Sequence, residues 1–221
     1  MHAQDAMRAR KSIRAFLNRP VERETISRML DAARWAPSGT NTQPWHVVVT
    51  RGATKQRVCA ALLQAHRTGV EPEMDYAYYP EAWREPYLSR RRDCGLQLYT
   101  TLGIQREDTA RRRAQWMANY RAFDAPTALF FFLDSRMDKG SFMDCGMFIQ
   151  SVMLAALDEG LSTCPQAALV EYPALVRDIL GIEQDRTLLC GMALGYADTA
   201  DPVNRYRTPR EPVEAFTRFL D

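Results

Sequence analysis

The stretch Trp35–Thr50, "WAPSGTNTQPWHVVVT", decides how this chain is read. It ends in "HVVVT", a short β-branched run of the kind that forms a buried strand. Before that run stand Pro37, Ser38, Gly39, Asn41, Gln43 and Pro44, with no carboxylate and no cysteine. A turn needs only one or two such residues, so these amides and hydroxyls exceed what a plain connector requires. His46, at the head of the strand, reads as a buried, hydrogen-bonded histidine and not as a base.

Working outward, Ile26, Met29, Leu30 and Ala33 follow helical spacing, so 22–35 reads as an amphipathic helix stopped by Pro37. Helix returns at 55–65, and "ALFFFLD" at 128–134 is a second buried strand. The stretch from Asp144 to Gly160 is apolar on nearly every face, with Asp144 as N-cap and Gly160 as stop. A helix of that kind is buried all round, in the subunit or against a partner. "TLLCGMALGYAD" at 187–198 is a third strand, and 171–180 and 213–220 read as short helices.

The segment at about 66–124 differs from its surroundings. It holds six of the nine tyrosines, with helices expected at 90–103 and 107–122 and a loop at 71–87. The whole reads as one α+β domain spanning 1–221, with 66–124 inserted as a helical and loop lid.

Composition narrows the function classes. The 221 residues carry a net charge of only +2, which argues against a nucleic-acid binder although all but three of 29 basic residues are arginine. Five cysteines without C-x-x-C spacing and three histidines speak against a disulfide framework or a metal site. The N-terminal stretch lacks the apolar core of a leader, and no run approaches the roughly 18 apolar residues of a membrane span, so a cytoplasmic protein is expected. No nucleophile–base motif and no Walker or Rossmann glycine pattern occurs. An enzyme built this way takes its chemistry from a cofactor.

Three polar clusters could hold one. "RARKSIR" places Arg10, Lys11, Ser12 and Arg14 within five residues, cations suited to a phosphate or a polarised carbonyl. The loop at 37–41 offers neutral groups that match the edges of a planar heterocycle. The tail "PVNRYRTPREPVEAF" sets Arg205, Arg207 and Arg210 among prolines on an extended path.

Read in order, "RKSIRAF", "AARWAPSGTNTQPWHVVV", "GLSTCPQA" and "GMALGYAD…PVNRYRTPREPVEAF" resemble the nitroreductase family of FMN-dependent oxidoreductases, bacterial nitroaromatic and nitrobenzoate-type reductases above all. The resemblance implies a three-layer fold with a mainly antiparallel central sheet flanked by helices, in an intertwined homodimer with C-terminal strand exchange and FMN at the interface. It implies that Arg10, Lys11, Ser12 and Arg14 contact the phosphate, ribityl chain and pyrimidine edge. Pro37, Ser38, Gly39 and Asn41 would come from the other subunit, while Pro165, Gln166 and Ala167 run along the ring. Arg210, assisted by Arg207, would hold the phosphate. The side chain of Gln166 is left open, because some relatives have an acid there.

The implied activity is a ping-pong, two-electron reduction of a nitroaromatic or quinone-like acceptor through the flavin N5, with NADH or NADPH as donor. Neither a catalytic side chain nor a metal is needed. Trp83, Tyr87 and Tyr120 would form an aromatic wall for a small aromatic acceptor. Reductive dehalogenation is the alternative on the same framework, but such relatives grip an amino acid with a lid lysine, and none occurs between Lys55 and Lys139.

Overall fold

The computed structural model describes residues 2–220. The elements in chain order are α1 (Ala3–Ala9), α2 (Arg23–Ala33), β1 (His46–Arg51), α3 (Gly52–Arg67), α4 (Tyr87–Thr101), α5 (Thr109–Met117), β2 (Thr127–Asp134), α6 (Lys139–Asp158), β3 (Ser162–Gln166), α7 (Pro173–Leu180) and β4 (Arg186–Gly195). The four strands form one sheet in the order β1-β2-β4-β3, and every neighbouring pair is antiparallel.

Strand β2 organises the core. Its run Ala128–Leu133 is at most 1% exposed, and successive side chains point to opposite faces of the sheet. Ala128, Phe130 and Phe132 pack with Val58 and Leu62 of α3 and Val176 of α7. Leu129, Phe131 and Leu133 pack with Met29 of α2 and Phe148 and Val152 of α6. Two helical layers therefore cover a strand buried on both sides, the three-layer α+β arrangement. At about 1.5–3 kcal/mol for each fully buried large side chain, β2 is the strand the fold can least spare. Its ladder with β4 slips between Phe131 and Phe132. The Leu189 carbonyl freed there accepts a hydrogen bond from Tyr76 Oη at 2.6 Å.

Several sequence expectations give way. Helix α6 begins at Lys139, capped by Asp138, whose side chain accepts from the Lys139 N–H at 2.7 Å. Asp144 is thus inside the helix and not its cap, while Gly160 ends it in the left-handed region at φ +68°. Nor is α6 buried all round within one chain: Phe148 is covered, but Met143 is 70% and Met147 41% exposed. Its 20 residues are long and apolar enough to cross a membrane by length and composition, although one face is committed to the sheet.

His46 is exposed, not buried. The helix expected at 213–220 is a single turn, Val213–Ala215. So short a helix with nothing to pack on is marginal in water, and Phe216, Phe219 and Leu220 stay exposed. The helix expected at 107–122 stops at Met117, where a turn follows with Ala122, Phe123 and Asp124 all at positive φ. Strand β3 went unread because "STCPQ" has no alternation, a single β-branched residue in Thr163 and a proline. Proline is tolerated there because β3 is an edge strand.

Within 66–124, α4 has no buried residue and α5 only Met117, so both helices stand off the core. The ends of the segment are anchored: Tyr120 is fully buried, and Tyr76 holds the β4 irregularity.

Close packing also fixes Gly191 on β4, where an added Cβ would sit 2.3 Å from Leu169 Cβ. Leu169 is itself fully buried and cannot swing away. Gly191→Ala is expected to lower unfolding stability by about 1–3 kcal/mol, as overpacking does. Urea denaturation of parent and variant measures this, and equal midpoints would show that the core yields at this point.

Candidate functional site

The first polar cluster is built on the outer edge of β3. Ser12 bridges to Thr163 in parallel, and the Ile13 N–H donates to the Thr163 carbonyl at 3.0 Å. The returning chain runs on the other side of the same segment: Phe16 bridges Ala197, and the Asp198 N–H donates to the Ala15 carbonyl. Asn204, 4% exposed, fastens the two together. Its Nδ2 donates to the carbonyls of Ala15 and Asp198, both at 2.8 Å, and its Oδ1 accepts the Arg14 N–H at 2.8 Å. Its carbonyl accepts from Lys11 Nζ. Sequence reasoning passed over Asn204, because nothing in "PVNRY" marks a buried, fully bonded amide.

Arg207 and Arg210 lie near enough to Arg10 for their charges to act on it. Burial lowers the Arg10 pKa, and the positive charges of Arg210 and Arg207 lower it further. No carboxylate ion-pairs with any of the three among the described residues. Arg210 curls over its own loop, Nη1 donating to the Pro209 carbonyl at 2.8 Å and to Thr208 Oγ1 at 3.0 Å. Helix α4 holds this tail in place: Arg90 pairs with Glu211 at 3.0 Å, and Gln97 Nε2 donates to the Arg207 carbonyl at 3.0 Å. Such a group of guanidiniums with donors to spare has the charge and chemistry that could hold an anion. Lys11 is not in it; its ammonium is engaged by Asn204 beside a separate cleft of about 390 Å³. Arg205 likewise turns away, to the Ala200 carbonyl.

Next to the anion site lies a cleft of about 1040 Å³ between the sheet edge and α4 and α5. Arg14 stands at it, its Nη1 donating to Tyr206 Oη at 2.7 Å. Burial raises the Tyr206 pKa despite the opposing pull of Arg14, so the tyrosine stays neutral and does not cancel the arginine's charge. Below Arg14, Cys164 is held well above the ordinary thiol range by burial, with Arg14, a Ser12 hydrogen bond and Arg10 pulling the other way. It is therefore a neutral thiol and no nucleophile.

Gln166 is 4% exposed. Its Nε2 donates to the Asn119 carbonyl at 2.9 Å, tying β3 to the end of the lid, while its Oε1 has no partner. Pro165 and Gln166 lie on β3, and Ala167 follows at the turn.

The aromatic wall of the cleft is Tyr79, Tyr99, Trp116 and Phe123. The three aromatics singled out from the sequence do not line it. Trp83 packs against Tyr79 at 5.8 Å and Arg91 at 5.3 Å, one layer back. Tyr87 is 59% exposed at the start of α4. Tyr120 is fully buried; its Oη donates to Glu171 Oε2 at 2.5 Å and receives His66 Nδ1 at 2.8 Å, which assigns the ring proton to Nδ1. Tyrosine abundance located the lid but could not say which rings face outward.

The second cluster, 37–43, sits elsewhere in the chain. The Gly39 N–H donates to Asp144 Oδ1 at 3.2 Å, and Ser38 Oγ accepts the Gln43 N–H at 2.9 Å. Thr40, Asn41 and Gln43 all hold positive φ, at 47°, 60° and 48°. For a β-branched threonine this is strained backbone, and it leaves Gly39, Thr40 and Asn41 exposed. The loop leads into β1, and β1 and β3 are opposite edges of the sheet. Two intervening strands separate those edges by roughly 14 Å. Along α6 the gap is similar: Gly39 touches Asp144, whereas Lys11 shares a cleft with Leu157. That stretch of helix rises about 20 Å. One chain does not bring the two clusters together.

No group of three or more His, Cys, Asp or Glu side chains that could hold a metal occurs among the described residues.

The nitroreductase family model matches residues 7–196. The chain belongs to the nitroreductase family. It is 39% identical to a 4-nitrobenzoate reductase from Pseudomonas putida, over 96% of this chain and 92% of that one. It is 37% identical to a nitrobenzene nitroreductase from Ectopseudomonas oleovorans, over 98% and 96% respectively. Among solved structures it superposes on the FMN and NADPH-dependent nitroreductase NfnB from Sphigopyxis sp. strain HMH with a TM-score of 0.97 at 40% identity, covering all of both chains.

The Tyr120–Glu171 contact carries a pH signature. Burial holds the Glu171 carboxyl above its ordinary value near 4.5, against the opposing pull of the Tyr120 hydrogen bond and of His66. The folded chain then keeps this proton longer than the unfolded chain, so stability falls as pH rises from about 4.5 through the raised value. Glu171→Gln is expected to remove that part of the fall. Urea midpoints of parent and variant across pH 4 to 8 check this, and parallel profiles would refute it.

Proposed function

We propose that this protein is an FMN-dependent NAD(P)H oxidoreductase that reduces nitroaromatic or quinone-like acceptors. The observation that carries the reading is that Arg207 and Arg210 act on the charge of Arg10 while none of the three makes an ion pair with a carboxylate among the described residues. The residues fit the cofactor. Three cations suit a phosphate dianion, and the neutral loop 37–43 suits a neutral ring system. A buried Gln166 Oε1 without a partner is a site still lacking a donor. The full-length match to nitroreductases, NADPH-dependent NfnB among them, supports the same reading.

Arg10, Arg207 and Arg210 would hold the phosphate. Ser12, Arg14 and the 165–167 edge would hold the polar side of the ring, and Lys11 serves by positioning Asn204. Bound FMN supplies the two-electron transfer between donor and acceptor. The chain's own residues fix its position, keep an uncancelled cation at Arg14 and wall the cleft with α4 and α5.

Because one chain separates the two clusters, Pro37, Ser38, Gly39 and Asn41 would come from a second copy in a homodimer. The uncovered apolar side chains of Trp35, Met143, Phe216 and Phe219 support such a partner. The C-terminal residues beyond Glu211, largely exposed in the single chain, would cross onto it. Donor and acceptor would take turns in the one cleft, and a cytoplasmic setting, where NAD(P)H is available, suits the reaction. Dehalogenation of an amino-acid substrate is not favoured, since the lid carries no lysine to grip a carboxylate and 4-nitrobenzoate and nitrobenzene reductases match almost the whole chain.

The purified protein is expected to be a yellow dimer that oxidises NADPH under anaerobic conditions only when a nitroaromatic is supplied. A colourless protein that leaves NADPH untouched after incubation with FMN would end the proposal. Arg210→Ala should weaken FMN retention by roughly tenfold or more, the scale of one charge-assisted contact. Fluorescence of flavin released on dilution measures it. Arg205→Ala, which faces away, should change little, and equal retention in both variants would move the phosphate elsewhere.

A further inference from the structure

We propose that the cleft beneath α4 and α5 selects flat acceptors that carry a fixed negative charge, of the aromatic carboxylate class. This rests on the reading of the protein as a nitroreductase and names the kind of acceptor it takes. Arg14, Arg91, Arg92, Arg106 and Arg112 line the cleft, and no aspartate or glutamate does. None of the five is ion-paired among the described residues, whereas Arg28, Arg136 and Arg177 elsewhere are each matched to a carboxylate. With five arginines and no acid in its lining, the cavity wall carries a local excess of positive charge in a chain whose net charge is only +2.

Their setting suits a particular shape of anion. Arg112 lies 4.6 Å over the Tyr99 ring, and Arg91 lies 5.3 Å over Trp83. Arg112 Nη1 donates to the Arg106 carbonyl at 3.3 Å, and the remaining N–H groups of these ring-packed guanidiniums are available to a carboxylate. Trp116, half exposed on the cleft wall, offers a face to an aromatic ring. A cationic concavity concentrates anions and speeds their capture. The names of the relatives do not choose, since one acts on 4-nitrobenzoate and another on nitrobenzene; the arginines do.

The test compares kcat/KM for 4-nitrobenzoate and for nitrobenzene with NADPH as donor. The expected ratio favours the anion by on the order of tenfold at low salt and shrinks as added salt shortens the screening length. In the double variant Arg92→Gln/Arg112→Gln the ratio should fall to about one. A ratio cancels any general loss of activity. Binding is read separately on the oxidised holoenzyme, where benzoate should quench tryptophan fluorescence at far lower concentration than benzamide, its neutral counterpart.

A parent ratio near one with no salt dependence, or a double variant that keeps the parent ratio, overturns the inference. So does a double variant that loses discrimination between NADPH and NADH while keeping the acceptor ratio, for the arginines then read the donor's phosphate. Failure to consume NADPH with either acceptor would instead strike the nitroreductase reading, and the benzoate titration would still report on the cleft.

Discussion

Like charges do not gather unless something neutral forces them together, and in this chain that something is one buried amide. Asn204 bonds to the backbone of Arg14, Ala15 and Asp198 and receives Lys11. It thereby fixes the N-terminal segment against the returning tail, and with them the positions of Arg10, Arg207 and Arg210. All of its polar groups are satisfied, which is the condition under which a buried polar residue specifies a structure and does not merely burden it. Burial lowers the Arg10 pKa and the charges of Arg210 and Arg207 lower it further, a repulsion that those bonds hold in place. An anion would relieve it, so the folded chain is prepared for one before one arrives.

The sheet imposes the second constraint. With β1 and β3 at opposite edges, the neutral loop and the cationic edge cannot meet within one copy. The exposed, left-handed loop at 40–43 and the exposed tail are therefore costly features for a lone chain. Both become intelligible together in the proposed dimer, where each copy completes the other's site. The outward methionines of α6 belong to the same account: that helix is apolar on a side the single chain leaves bare.

Much of the fold was legible in the sequence because it follows from periodicity. "HVVVT" and "ALFFFLD" are continuous apolar runs, and both proved to be strands; Ile26, Met29 and Ala33 have helical spacing, and α2 buries just those residues. Legibility failed where a tertiary partner decides. "STCPQ" is a strand only because β4 pairs with it, and Asp144 looked like a cap because its bond to Gly39 crosses about a hundred residues of chain. At the site, Arg10, Arg207 and Arg210 were visible as charges, and the charges of Arg207 and Arg210 do reach Arg10. Lys11 was counted with them, yet it faces Asn204, which no local pattern reveals. Tyr120 was taken for a wall because composition registers a ring without its direction.

Helix α4 has two duties that the chain cannot separate. One side lines the cleft through Arg91, Arg92 and Tyr99, and the other grips the tail through Arg90–Glu211 and Gln97. A drift of this helix that opens the cleft to a bulkier compound must also drag on the loop bearing Arg207 and Arg210. Breadth of diet and grip on the prosthetic group are thus mechanically linked, and a lineage that widens one has to rebuild the other.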